Sequence, residues 1–393
     1  MVLKALVPFT IVAVAGCGSD QDGAFLYERF DSADIEIVRT SAPSSSGLPS
    51  WRLEAGTPVT LDYPGHVEYR LLSAAFFGDG GVVATNQEQE LLVFSADGTP
   101  EGVIGRKGEG PGEFLSLYSV SAFGDTVVTF DRYNRVAFFH RSGDFLGSGL
   151  LPFPVSLPAG VRATNGQHFF AKKEELPTAE MQSGNSSELI EGRAHFLRFT
   201  LEDGSFGTDT VLTLPGITWM KIGAGSIVDR PIYPSPHFSV NDNGVVMGWS
   251  GEPQLWEFNQ RGELIRIIEV HLPQMEFGSA ERSRWCEPSE PGATPCTFRK
   301  ADGSLTDLVF PEHNPFFAGL MLSSDGWLWL RRMPDGPADP NQLWWILDPT
   351  RRIVAEVKFR SNYSIVDAVG DVVLGVSTDD LGVETLVLTT VVR

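Results

Sequence analysis

One stretch of the chain reads Gly81-Val-Val-Ala-Thr85 and then Leu91-Leu-Val-Phe-Ser-Ala-Asp-Gly98, and a second reads Asp125-Thr-Val-Val-Thr129 and then Val136-Ala-Phe-Phe-His-Arg-Ser-Gly143. The two stretches repeat each other, and their turn glycines lie 45 residues apart. A repeat of about this length is typical of propellers and arrays, in which one small sheet cannot bury its faces alone. The repeat therefore predicts the fold.

The pattern of an apolar strand, a Gly, Asp or Asn turn and a second apolar strand continues along the chain. Gly (41 residues) and Pro (26 residues) are frequent, as tight turns between many short strands require. No long stretch has apolar residues at helical spacing, so helix should be scarce. We expect an all-β, six-bladed β-propeller of four-stranded antiparallel blades. Its blades are predicted at residues 69–105, 118–150, 161–214, 238–270, 317–359 and 365–392.

The last of these blades has only three predicted strands. The segment Asp34-Ile-Glu-Ile-Val-Arg-Thr40 alternates apolar and polar residues, as a half-buried strand does. We expect this N-terminal strand to complete the last blade and close the ring, which would remove the exposed edges of an open array. Residues 42–66, rich in Ser, Pro and Gly, are predicted to form a crossing loop.

The composition is that of an ordered, acidic protein. The chain has 393 residues, of which 42% are hydrophobic and 20% charged, and its formal net charge is −20. An acidic surface repels phosphate backbones, so general nucleic-acid binding is not expected. The simplest interpretation of the charge is that it keeps the protein soluble.

The beginning of the chain has the pattern of an export signal. Lys4 precedes an apolar run from Ala5 to Gly16, which is too short to span a bilayer because spanning takes about 20 residues. The run ends in Val14-Ala-Gly-Cys17, which resembles the lipobox of bacterial lipoproteins. The resemblance implies cleavage before Cys17 and lipidation of that cysteine, which would attach the protein to a membrane. An ordinary signal peptide is the alternative.

We accordingly divide the chain into a lipoprotein signal peptide (1–16), a tether (17–33) and one propeller domain (34–393). The protein is expected to be exported and lipid-anchored to the bacterial cell envelope. Gly18 follows the cysteine, where many lipoproteins kept at the inner membrane carry aspartate. The outer membrane is therefore favoured.

Two cysteines remain for other chemistry. Cys286 and Cys296 flank a loop rich in turn residues, and in an oxidising periplasm such a close pair predicts a disulfide. Two free thiols are the alternative. A metal site is less favoured because no His or further Cys lies at ligand spacing.

Two later motifs point to a family. Gly105-Arg-Lys-Gly-Glu-Gly-Pro-Gly-Glu-Phe114 is followed by Phe130-Asp-Arg-Tyr-Asn-Arg-Val136. Together they resemble the NHL-repeat-like, six-bladed β-propeller family of bacterial lipoproteins. The resemblance implies fold and location, and it carries function only loosely. A dinucleotide-binding reading of the glycine-rich run fails, because Pro111 would break the helix that must follow.

Catalytic signatures are absent from the sequence. It contains no Gly-x-Ser-x-Gly or His-Glu-x-x-His motif, and its seven histidines are scattered. Long insertions are more informative. They lie at residues 174–192, 215–236, 271–315 and 333–341. In a four-stranded blade, these connections open on one face of the ring, and loops gathered on a rigid scaffold often bind ligands.

Basic and aromatic residues occur at the same level as the insertions. The candidate ligand-binding residues are Arg106, Lys107, Arg132, Arg135, Lys172, Lys173, Trp219, Trp249, Arg331 and Arg332, with Trp285 as a further aromatic candidate. Guanidinium groups bind carboxylates and phosphates, so an electropositive mouth for an anionic or sugar-like ligand is one hypothesis. The alternative is that these cations pair with Glu109, Glu113, Asp131, Glu174 and Asp335.

The sequence thus favours a monomeric binding or scaffold module, anchored at the envelope, that presents its loop-rich face to a small ligand or a partner protein. No cofactor is predicted for it. The alternative is a metal-dependent hydrolase of the propeller lactonase or esterase kind. That enzyme would need calcium or a similar ion in the axial tunnel, held by about four inward Asp, Asn or Glu side chains from different blades.

Overall fold

The fold is described from a computed structural model. The structure describes residues 26–41, 47–54, 58–64, 73–131, 133–152, 161–164, 167–175, 189–223, 226–229, 232–272, 275–286, 296–299, 305–334 and 339–393. Within these ranges the chain is almost entirely β-structure, with one helix, α1 (Ser279–Cys286).

In the described part of the chain, four strands precede the first blade. They are β1 (Tyr27–Ser32), β2 (Ile35–Ser41), β3 (Ser50–Leu53) and β4 (Val59–Thr60).

Six blades follow in chain order. Blade 1 comprises β5 (Ala74–Phe76), β6 (Val82–Thr85), β7 (Leu91–Phe94) and β8 (Pro100–Ile104). Blade 2 comprises β9 (Leu117–Phe123), β10 (Thr126–Asp131), β11 (Arg135–His140) and β12 (Phe145–Leu150). Blade 3 comprises β13 (Val161–Ala163), β14 (His168–Glu175), β15 (Leu189–Glu202), β16 (Ser205–Gly223) and β17 (Ser226–Asp229).

Blade 4 comprises β18 (Pro236–Asn241), β19 (Gly244–Trp249), β20 (Gln254–Asn259) and β21 (Leu264–His271). The connection to blade 5 carries α1, β22 (Thr297–Arg299) and β23 (Leu305–Asp307). Blade 5 comprises β24 (Gly319–Leu322), β25 (Leu328–Arg331), β26 (Asn341–Leu347) and β27 (Ile353–Arg360). Blade 6 comprises β28 (Tyr363–Val369), β29 (Val372–Thr378) and β30 (Glu384–Val392).

Each pair of neighbouring blades shares one apolar core, and six such cores complete the ring. Strand β6 shows why. Successive side chains of a strand point to opposite faces, so Val83 packs towards blade 2 while Val82 and Ala84 pack towards blade 6. Both faces are buried, which explains why the second strand of each repeat is a continuous apolar run rather than an alternating one.

The turn glycines that define the repeat lie where one blade meets the outer strand of the blade before it. Gly98 has a φ of +85°, and a Cβ there would lie 2.8 Å from Val59 and 2.9 Å from Leu61, beside the outer edge of blade 6. Gly143 has a φ of +101° and faces Ile104 of blade 1. The turns that define the 45-residue repeat therefore both need a left-handed backbone, and Gly98 also allows a close approach to blade 6.

The ring is closed by the N-terminal part of the chain, as predicted, but by different residues. Strand β3 pairs with β30 through Arg52↔Val392 and Leu53↔Val391. Strand β4 continues the same edge through Val59↔Leu388 and Thr60↔Val387. Strand β3 also pairs in parallel with β27, so blades 5 and 6 form one continuous sheet.

The prediction that Asp34–Thr40 closes the ring was therefore wrong, and so was the assignment of all of 42–66 to a loop. Strand β2 instead adds to blade 4, in parallel with β21, and β1 pairs with β2 at the edge. The register places Glu36 opposite Arg266 and Arg39 opposite Glu269. Both are ion pairs, and opposite charges on neighbouring strands favour that register. Alternation alone could not distinguish the two edges. Strand β1 also lies within the predicted tether, 17–33.

Candidate functional site

The first strand of every blade faces the propeller axis. These six strands line an axial channel of about 250 Å³. Two carboxylates reach it, Asp242 from blade 4 and Asp367 from blade 6. Burial raises the pKa of Asp242. Burial also raises the pKa of Asp367 to about 6, although the carboxylate accepts hydrogen bonds from Ala368 N (2.7 Å) and Ser324 Oγ (3.2 Å).

A metal-binding axis would need about four ligands from different blades, and the described lining of the channel includes two carboxylates and Asn241. The Asn241 amide donates to Ser323 O at 2.9 Å and accepts from Asn243 N. In the described ranges, no three or more His, Cys, Asp or Glu side chains come together in a way that could hold a metal ion. The hydrolase alternative therefore has no candidate ligand set there.

In each blade, the short hairpin turns lie at one end of the inner strand. The insertions lie at the other end, which we call the loop-rich face. Two of the insertions contain more regular structure than predicted. Strand β16 continues to Gly223 and β17 covers Ser226–Asp229, so much of 215–236 belongs to the sheet of blade 3. The ends of 174–192 likewise belong to β14 and β15. The pairing of β15 with β16 extends the ladder beyond the blade.

The connections before and after blade 4 pack on each other. Ile232, Tyr233 and Phe277 are buried together, and Trp285 and Phe310 pack against them. We call these five residues the cap cluster. The Phe277 and Phe310 rings stack with centroids 5.3 Å apart, and Tyr233 Oη donates to Val309 O at 2.9 Å. The cluster gives the loop-rich face a small core of its own.

The predicted disulfide is part of this cap. Cys286 is the last residue of α1, and it is bonded to Cys296, just before β22. Their Cα atoms are 5.2 Å apart, within the usual range for disulfides. The bridge fixes the end of α1, where Trp285 lies.

A cleft of about 720 Å³ lies between the cap and blade 5. Its volume is in the range of small-molecule sites. Its lining comprises Trp285, Arg331, Arg332, Met333, Pro334, Asp339, Asn341, Gln342, Leu343, Glu356, Lys358 and Ser361.

Three of the predicted ligand-binding cations are paired with acids. Arg106 Nη2 lies 2.7 Å from Glu113, Arg135 Nε lies 3.0 Å from Asp131, and Lys172 Nζ lies 2.8 Å from Glu174. Lys172 is also buried and donates to Pro236 O at 3.2 Å. These pairs follow the alternative weighed from the sequence, and they neutralise much of the expected electropositive mouth.

The remaining candidates divide between the surface and the sheet. Lys107 and Lys173 are exposed, and Arg132 lies outside the described residues. Trp219 is half-buried within β16, where it pairs with Ile190 and Asp229. Trp249 is half-buried too, and a Cβ on Gly251 would lie 2.3 Å from its ring, so the ring lies against the backbone and away from the cleft lining.

Among the candidates that the structure describes, Arg331 and Arg332 line the cleft. Arg331 is the last residue of β25, and Arg332 follows it directly. Sequence reasoning noted Trp285 without selecting it, and it missed Lys358. The disulfide beside Trp285 was a usable signal for that residue. Lys358 has no such signal, because a lysine on an outer strand is ordinarily solvated.

Comparison with known proteins supports the fold. Residues 80–182 match the model of the family DUF5128, described as a 6-bladed beta-propeller. A crystal structure of a DUF4221 family member from Bacteroides vulgatus aligns with a TM-score of 0.52 at 9% identity, covering 87% of this chain and 98% of that one. No curated protein sequence is significantly similar to this chain.

More distant likenesses include BamB from Moraxella catarrhalis, with a TM-score of 0.32 at 12% identity, covering 81% of this chain and 83% of that one. Another is the Swd1 β-propeller domain of Myceliophteria thermophila, with a TM-score of 0.39 at 10% identity, covering 84% of this chain and 86% of that one. The likeness to a six-bladed β-propeller family, predicted from the sequence, is confirmed. NHL repeats and lipid anchoring stay predictions.

Proposed function

We propose that this protein is a lipid-anchored binding module of the bacterial cell envelope, which presents its loop-rich face to a small ligand or a partner protein. The observation that carries the proposal is the cap. Insertions before and after blade 4 share a buried cluster, and Trp285 of that cluster lines a cleft of about 720 Å³ together with residues of blade 5. Loops held by a scaffold and by each other form a preorganised surface, as binding requires.

The proposed location rests on separate features. The disulfide between Cys286 and Cys296 is of a kind that persists in oxidising compartments. The lipobox-like run ending at Cys17 would provide the anchor. No helix in the described part of the chain has the length and hydrophobicity needed to span a membrane.

Site-specific photocrosslinking in cells that express the chain tests the binding face. Photoreactive residues replace Ser283 on α1 and Leu381 on the loop-rich face, both exposed. Matched controls replace the exposed Asp97 and Asp125 in the turns of the opposite face. We expect crosslinked products from the first pair only. Equal or stronger crosslinking from the second pair would refute the proposed binding face.

Fractionation of the same cells tests the anchor. The wild-type protein should be found with membranes, and Cys17→Ala should release it into the soluble fraction. Membrane association that survives this substitution would count against lipidation at Cys17.

A further inference from the structure

Arg331, which lines the cleft, has no acidic partner among the residues that the structure describes. Arg331 Nε is completely buried and has no hydrogen-bond acceptor within the described residues. Arg331 Nη2 donates to Ala318 O at 3.2 Å, a neutral carbonyl. No carboxylate of the described chain lies within ion-pair distance of this side chain. Burial accordingly lowers the pKa of Arg331 from its ordinary value.

Other largely buried arginines of the described chain have acidic partners. Arg351 is bonded to both carboxylate oxygens of Glu257, at 2.9 and 2.6 Å. Arg141 lies 2.7 Å from Asp79 and 2.8 Å from Glu101. A buried charge is costly unless it is paired, and this protein meets that requirement at those sites. Arg331 departs from the pattern at the edge of a cleft.

A neighbouring histidine does not supply a counter-charge. His237 begins the inner edge of blade 4 and packs against Phe317, with ring centroids 5.5 Å apart. Its pKa is lowered to about 3, chiefly by burial and further by the positive charges of Lys172 and Arg331. The imidazole is therefore neutral at physiological pH and adds no charge of its own.

We propose that the cleft binds a small monocarboxylate, with its carboxylate on the guanidinium of Arg331 and its apolar body against Trp285 and Leu343. An arginine fork matches one carboxylate. The cleft is lined by three cations, Arg331, Arg332 and Lys358, and by two acids, Asp339 and Glu356. The two acids disfavour a doubly charged anion such as phosphate. This inference deepens the proposed function and rests on the loop-rich face being the binding face.

Calorimetric titration of the full mature chain tests the ligand class. The probes are N-acetyl-leucine, its uncharged analogue N-acetyl-leucinamide, and inorganic phosphate. We expect N-acetyl-leucine to bind about 10- to 100-fold more tightly than the amide, as a charge-assisted hydrogen bond implies. Phosphate binding as tight as that of N-acetyl-leucine, or no preference for the acid over the amide, would overturn the proposal.

Two variants tie the effect to Arg331. Arg331→Met should abolish the preference for the acid, whereas Arg106→Met, a loop-face arginine already paired with Glu113, should leave it intact. Without ligand, Arg331→Met should keep or raise the melting temperature, because it removes an uncompensated charge, while Arg351→Met should lower it by stranding Glu257. If Arg331→Met lowers the melting temperature as much as Arg351→Met does, Arg331 is a structural residue and the proposal is wrong.

The proposed binding face and the proposed carboxylate site can be refuted independently of each other. Calorimetry needs no partner, so a negative titration leaves crosslinks from Ser283 and Leu381 unaffected. An absence of those crosslinks would leave a positive titration standing as evidence for the cleft alone.

Discussion

At the scale of single residues, the motifs that resemble NHL-type repeats prove to hold two blades together. Glu113, at the end of the glycine-rich run, accepts hydrogen bonds from Gly110 N at 2.9 Å and Arg106 Nε at 2.8 Å. Arg135 Nη2 donates to Glu113 O at 2.5 Å, and Arg135 Nε donates to Asp131 at 3.0 Å. The run that connects blades 1 and 2 is thereby attached to the next blade.

Removing Asp131 should be costly. Its carboxylate, almost completely buried, accepts Tyr133 N (2.8 Å), Arg135 N (3.1 Å) and Arg135 Nε (3.0 Å). Asp131→Ala leaves these donors without an acceptor, and we expect it to lower the free energy of unfolding by about 2–4 kcal/mol. Urea denaturation measures the change. Asp380→Ala, at an exposed turn residue, serves as the control and should have little effect.

Asp367 should make the protein less stable as pH rises, because its pKa is raised in the folded state. Its pKa of about 6 in the folded protein exceeds the ordinary value of about 4. Between these two pH values the folded state binds more protons than the unfolded state, so the free energy of unfolding falls as pH rises from about 4 to 6, by at most about 3 kcal/mol.

The comparison of wild type with Asp367→Asn isolates this effect, because asparagine does not titrate. Urea denaturation at pH 4, 5, 6 and 7 should show wild type losing stability relative to the variant up to about pH 6 and no further. A constant difference across the series would contradict the raised pKa.

At the scale of elements, ring closure depends on β3 more than on β1 and β2. Trp51 of β3 is 9% exposed and packs on Trp327 of blade 5, with ring centroids 5.6 Å apart. Arg393 lies over both rings, at 4.9 and 4.8 Å. One aromatic side chain thus joins the N-terminal strand, blade 5 and the C-terminal residue.

Trp51→Ala should therefore lower the free energy of unfolding by about 3–5 kcal/mol, as other large core truncations do. Phe30→Ala on β1 is the matched control, because Phe30 is 36% exposed on the outermost strand of blade 4 and should cost much less. Thermal unfolding followed by circular dichroism distinguishes the two. Similar losses for both variants would argue against closure through β3.

At the scale of the whole molecule, the acidic surface should make stability sensitive to salt. The net charge of −20 opposes the compact state by self-repulsion, and salt screens that repulsion. We expect the melting temperature to rise between 0.02 and 0.5 M NaCl, and to rise equally in choline chloride if ionic strength rather than a bound cation is responsible. A fall with salt would show that attractive ion pairs dominate.

The repeat predicted the architecture well because it records packing between neighbouring blades. The position of Gly98 recurs as Gly143, Gly204 and Gly262 in the next three blades, all with positive φ, so local geometry constrains the residue type there. The sequence could not show whether Asp34–Thr40 closes the ring or adds to blade 4, because its alternating pattern fits either sheet edge. The ion pairs with Arg266 and Glu269 across the ladder favour blade 4.

The candidate site was predictable only in part. The loop-rich face follows from topology, and Arg331 and Arg332 were selected from their position at the end of a strand. The sequence named Glu113 and Asp131 as alternative partners of the cations, but it could not decide whether the ion pairs form, because they depend on the detailed loop conformation. The cap cluster joins two insertions that are far from each other along the chain, and no local pattern marks such a contact.

The hairpin of β1 and β2 has a mechanical consequence. The chain enters β1 at Tyr27, opposite Thr40, while the turn that joins the two strands lies at the far end, beyond Ser32↔Ile35. A pull on the N-terminal segment along the strand loads all the register pairs of the hairpin in shear, whereas a sideways pull peels them apart one by one. The strands that close the ring, β3 and β4, come later in the chain. We therefore expect tension on the N-terminal segment to separate the β1–β2 pairing first. The pairing of β3 and β4 with β30, which closes the ring, would remain intact.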